Sequence, residues 1–136
     1  GVAGAAQGGL WDGVGGHGSL GNPSGGRVGL GLLHGSQPDV IVVCHDPTRD
    51  AIDTARHLPL PSVAECIDLN LRCGRVTNPN LCCVGVCVNT SGLNSESRQS
   101  YLLGLSAKLN LPCVDPIRDG CDAIVDKIFN EFAPVA

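Results

Sequence analysis

Methionine is absent from the 136 residues, and aromatic side chains nearly so: there is one tryptophan, one tyrosine and two phenylalanines. A core made from this chain has to be aliphatic, built of Val, Leu, Ile, Ala and Cys. Charge is sparse as well, at 16% of residues against 43% hydrophobic, a balance that belongs to a globular chain and excludes a disordered one. No basic run occurs and the formal net charge is −4, so the electrostatic footprint of a nucleic-acid binder is missing. No apolar run approaches the roughly 20 residues that cross a bilayer, and no signal-peptide pattern is visible. An intracellular, reducing compartment, cytoplasm or organelle, is therefore expected. Neither CxxC nor GxxxxGK(S/T) occurs, so there is no zinc-ribbon signature and no Walker A phosphate cradle. The missing initiator methionine leads to the expectation that these residues are part of something longer.

What the chain has in quantity is glycine, 19 residues, and cysteine, 8. Most of the cysteines stand in apolar segments, such as Cys44 in VVCH, Cys82, Cys83 and Cys87 in CCVGVC, and Cys113 in PCVD. They read first as small buried hydrophobes. Disulfides come second, and a metal site from Cys82, Cys83, Cys87 and a distant histidine last; no metal ligand is assigned. The glycines concentrate before residue 36, interleaved with His17, Ser19, His34 and Ser36. Glycine lets backbone amides approach a ligand closely, so this stretch is expected to be a loop able to wrap an anion or an acyl group.

Beyond that loop, strand and helix patterns alternate. Trp11–Val14 suits a short strand and residues 39–45, DVIVVCH, a strand buried on both faces. Residues 49–57 are expected to form a short helix. Ser62 and Glu65 have capping-box spacing ahead of a helix to about Gly74. Residues 81–88 form a second buried strand. Asn94 or Ser95 caps a helix whose face carries Tyr101, Leu102, Leu105 and Leu109. Residues 112–115 make a third strand, and residues 121–132 a last helix with Ile124, Val125, Ile128 and Phe132 as its stripe. Short, wholly apolar strands between helices are the βαβ pattern of a parallel sheet covered on both sides. The fold expected is a three-layer α/β single domain.

Ligands of such sheets bind outside the carboxyl ends of the strands. That directs attention to residues 45–49, 89–91 and 115–118. His45 beside Asp46 suits an acid–base pair. Arg49 and Arg118, each after a strand and a proline turn, suit a carboxylate or phosphate. His17 and Ser19 in the loop, and His34 with Ser36 before a strand, are further polar candidates, whereas His57 reads as structural or exposed.

The strings GHGSLGNP (16–23), VGLGLLHGSQPDVIVVCHDPTR (28–49), VGVCVNTSGLNSE (84–96) and LPCVDPIRDGCDAIVD (111–126) resemble, in that order, the carboxyl-terminal P-loop domain of the DUF1611 family, which is D-glutamate N-acetyltransferase-like. The resemblance implies a domain similar to dethiobiotin synthetase, with its Walker A upstream, so that the chain is the second half of a P-loop-type domain. It implies that Gly16, His17, Gly18 and Ser19 lie where substrate or metal sits near phosphates, and that Asn89 and Thr90 follow a strand at a nucleotide or acetyl-CoA site. Asp115 and Arg118 fall in the family's DPxR element. His17, Ser19, His34 and His45 become the catalytic candidates, with Gly16, Gly18, Asn89, Thr90, Asp115 and Arg118 binding acetyl-CoA or ATP. The activity implied is acyl transfer to a small acidic amino acid. A second reading follows from Gly15, where the family has Glu, and from His17, where it has Gln: an inactive relative serving as an accessory subunit, with a protein partner or a second copy covering an open sheet edge.

Overall fold

A computed structural model describes residues 3–4, 13–15 and 19–132. Two short strands, β1 (Ala3–Gly4) and β2 (Gly13–Val14), pair antiparallel. Helix α1 (Gly26–Ser36) leads into β3 (Val40–His45), which is followed by β4 (Ala51–Ile52) and β5 (Ala55–Pro59). Then come α2 (Val63–Gly74), β6 (Cys82–Val88), α3 (Ser95–Leu109), β7 (Cys113–Val114) and α4 (Asp122–Phe132).

The central sheet has the order β3-β6-β7, all parallel. Val86 and Val88 of β6 and Cys113 of β7 are buried against Val63 and Ile67 of α2 and Leu102 of α3. The opposite face of β6 meets α4, and so closely that a Cβ at Gly85 would fall 2.7 Å from Ile124 Cγ1. The result is a three-layer α/β sandwich with a mainly parallel sheet. It is local chemistry that starts the helices. Ser62 accepts the Glu65 amide at 3.2 Å while the Glu65 carboxylate accepts the Ser62 amide at 2.7 Å, the reciprocal pair its spacing predicts. Asn94 caps α3 by accepting the Ser97 amide at 2.9 Å.

Five expectations need correction. The glycine-rich stretch is not loop throughout, because residues 26–36 are helical. Turn bonds from the amides of Gly25 and Gly26 to the Asn22 carbonyl start α1, and buried Leu33 holds it against α2; packing outweighs the poor helix propensity of glycine. Residues 49–57 form no helix but carry the β4–β5 hairpin. Ile52 and Ala55, both buried, stand three apart, a spacing that serves a tight hairpin as well as a helical turn, and nine residues cannot nucleate a helix unaided. Strand β3 is not buried on both faces: Val42 is 38% exposed and Cys44 is exposed, since α4 packs on β6 and β3 is the outermost described strand of its sheet. Val125 is exposed, outside the α4 stripe. Of the eight cysteines only Cys113 is buried; Cys44 and Cys121 are exposed, and all are free thiols. Trp11 and Asp12 of the expected first strand lie outside the described residues.

Candidate functional site at the carboxyl ends of the strands

Strands β3, β6 and β7 end side by side, and the strand ends with the loops that follow form an open cavity of about 330 Å³ lined by Cys44, His45, Asp46, Arg49, Asn89, Asp115 and Ile117 among others. The loop after β6 is pressed onto the loop after β3: a Cβ at Gly92 would fall 2.5 Å from Thr48 Cγ2. The Asn89 amide N–H donates to the His45 carbonyl at 2.8 Å, extending the strand pairing one step further.

The side chains here bond to one another. His45 Nε2 lies 2.8 Å from Tyr101 Oη, and the two rings stack with centroids 6.2 Å apart. Burial lowers the pKa of His45, with Asp46 pulling weakly the other way, so at neutral pH the imidazole is uncharged and can accept a proton. Asp46 accepts from the Thr48 amide at 2.9 Å and its hydroxyl at 2.6 Å, and from Asn89 Nδ2 at 3.2 Å. Those bonds, from Thr48 first, hold its pKa down. Beneath the cavity floor, the fully buried Thr90 donates its amide, at 3.2 Å, and its hydroxyl to Asp115 Oδ2. Asp115 Oδ1 takes the amides of Ile117 and Arg118 at 3.0 and 3.2 Å. This buried carboxylate is kept ionised, chiefly by Thr90. Arg98 donates to Thr90 Oγ1 at 3.2 Å and pairs with Asp119.

Five of the residues singled out in the sequence, His45, Asp46, Arg49, Asn89 and Asp115, therefore meet in one cavity, with buried Thr90 bonded to Asp115. Arg118 is exposed, bonds Asp115 through its backbone, and does not line the cavity. Ser19 closes the turn before α1, its hydroxyl accepting the Gly21 amide at 3.1 Å. His34 lies at the other end of the sheet, where Nε2 is 2.8 Å from the Cys73 carbonyl. Gly16, His17 and Gly18 lie outside the described residues. Sequence reasoning missed Tyr101, which it placed only on a core face, and Arg98 and Asp119, which carry no motif; Arg98 sits one turn into α3, where only the fold shows that it reaches Thr90.

The donor set decides what fits. Two carboxylates and one arginine, itself paired with Asp53, do not make a polyphosphate cradle. Among the described residues no cluster of His, Cys, Asp or Glu could hold a metal ion, and no helix is long and apolar enough to cross a membrane. An amine and a carboxylate suit these groups better: Asp46 and His45 for the first, half-exposed Arg49 for the second.

Residues 2–125 match the family described as "Domain of unknown function (DUF1611_C) P-loop domain". The chain belongs to the DUF1611 family. It is 44% identical over 115 residues to a protein of Pseudoalteromonas sp named D-glutamate N-acetyltransferase, which covers 85% of this chain and 35% of that one. It is 36% identical over 118 residues to a protein of the same name from Tritonibacter scottomollicae, covering 87% of this chain and 35% of that one. A crystal structure of a DUF1611 family protein from Anabaena variabilis superposes with a TM-score of 0.77 at 28% identity, covering 85% of this chain and 34% of the other. The chain thus spans about a third of the length of these relatives.

Proposed function

We propose that the strand-end cavity contributes to acyl transfer from acetyl-CoA to the amine of a small acidic amino acid, D-glutamate or a close analogue, seating the acetyl thioester and the amino acid but not the phosphates of coenzyme A. The observation that carries this reading is His45, bonded to Tyr101 and lining a cavity that also presents Arg49 and Asn89. Two relatives named D-glutamate N-acetyltransferase support it.

An amine attacks a thioester only as its free base. In the tautomer whose Nε2–H donates to Tyr101 Oη, Nδ1 of His45 keeps a lone pair to take the ammonium proton. Asp46 stabilises the imidazolium that results. The new N–C bond forms at the acyl carbon, the C–S bond breaks, and the departing thiolate takes the second amine proton and leaves as the thiol. Arg49 exchanges its exposed partner Asp53 for a substrate carboxylate. No step is assigned to a nucleotide.

A second reading, an accessory subunit without activity, is favoured by β3 alone: it has no described neighbour on its outer edge, and Val42 and Cys44 face outward. Calorimetric titration with acetyl-CoA and with D-glutamate separates the two. Saturable binding in the micromolar range supports the acyl-transfer site; no binding of either ligand supports the accessory subunit.

A further inference from the structure

Two thiols, Cys44 and Cys87, line the cavity, and a third, Cys121, neighbours Cys87. Cys44 of β3 and Cys87 of β6 stand in register on neighbouring parallel strands and therefore point to the same face of the sheet. That face is the one covered by α4, because Gly85, two residues before Cys87, is pressed against Ile124. Cys121 precedes Ile124 by three residues, and its carbonyl accepts the Ile124 and Val125 amides, each at 3.0 Å. It thus stands at the start of α4, the helix that packs on the Gly85 face of β6.

We propose that Cys87 and Cys121 are a disulfide-forming pair, closed by a low-molecular-weight disulfide that enters at the exposed Cys121 thiol. The inference rests on the packing of α4 over β6 and is independent of the acyl-transfer reading. Cys44 is the poorer partner. Side by side on parallel strands about 4.8 Å apart, the Cβ vectors of Cys44 and Cys87 do not converge toward the about 3.8 Å that a disulfide needs, whereas Cys121 approaches Cys87 from the facing layer. Burial first, then the neighbouring thiols of Cys44 and Cys121, push the Cys87 thiol up to about 11.

The chemistry balances as two exchanges. The Cys121 thiolate attacks one sulfur of oxidised glutathione and expels one glutathione thiolate, leaving a mixed disulfide. The Cys87 thiolate then attacks the Cys121 sulfur and expels the second. Two protein thiols are oxidised, one external disulfide is reduced, and both protons end on glutathione. Cys121 is the accessible sulfur and Cys87 the resolving one.

The test incubates the intact protein with oxidised glutathione, blocks the remaining thiols by alkylation, and maps peptides without reduction. The expected product is a Cys87–Cys121 linked peptide, whose rate of formation from the mixed disulfide rises about tenfold per pH unit between neutrality and pH 9, as the high-pKa thiol ionises. Cys121→Ser, at an exposed position, abolishes the link. Cys87→Ser, with its fold checked by circular dichroism, halts the reaction at the glutathione adduct on Cys121. A Cys44–Cys87 link, a bridge that survives Cys121→Ser, or the absence of any linked peptide overturns the proposal.

Discussion

At the amino end of the sheet, Asn78 donates to the carbonyls of Gln37 and Pro38 and to Asp39, and His34 bonds the Cys73 carbonyl. At the carboxyl end the histidine and the asparagine bond side chains, His45 to Tyr101 and Asn89 to Asp46, beside the Thr90–Asp115 pair. Bonds to backbone carbonyls stitch loops shut and leave the histidine little else to do. Bonds between side chains hold functional groups in place around an open cavity while keeping the imidazole available. One end is closed and the other lines a cavity, although residue type alone does not tell them apart.

The comparison breaks first at Asp115. Replacing it by Ala strands the buried amide and hydroxyl of Thr90 and the amides of Ile117 and Arg118, and about 3 kcal/mol of stability or more is lost, measurable as a fall in the urea midpoint. His45→Gln follows. It is expected to lower acyl transfer about 100-fold with the urea midpoint nearly unchanged, whereas His34→Gln does the reverse, costing about 1 kcal/mol of stability and leaving transfer alone. Asn78→Ala costs about 1–2 kcal/mol by freeing the loop before β3, again without touching ligand binding.

The smallest effects are in pH. The carboxyl of Asp115 is held below its ordinary value in the folded chain, so its stabilising contribution is complete above about pH 4 and is lost as the pH falls through the depressed folded value. Urea midpoints taken from pH 6 downward should drop in that acid range, and less steeply in Thr90→Val. Burial sets His45 below the usual histidine range and Asp46 raises it; Asp46→Asn should therefore move the NMR titration midpoint of the His45 ring lower still.

Much of this was legible in the sequence. The alternating apolar strands and helices, the Ser62–Glu65 box and the Asn94 cap are local patterns, and the structure reproduces them. The rule that ligands bind past the carboxyl ends of strands points to His45, Asn89 and Asp115, which line one cavity in the structure. What escaped depended on tertiary contact. Glycines in residues 26–36 suggest a loop, but Leu33 against α2 makes a helix. Ile52 and Ala55 suit two structures, and only burial chooses between them. An apolar strand such as β3 looks buried on both faces unless one knows which strand α4 covers. Tyr101 and Arg98 reach the site from α3, across a crossover that no local spacing encodes.

The most direct test of the central claim, that the carboxyl end of the sheet is the ligand site, is an amide NMR titration with acetyl-CoA followed by D-glutamate. The account predicts saturable shifts clustered at residues 45–49, 88–91 and 115–117, with residues 34–39 and 73–78 unmoved. Shifts confined to the amino end, or none at either end, would contradict it.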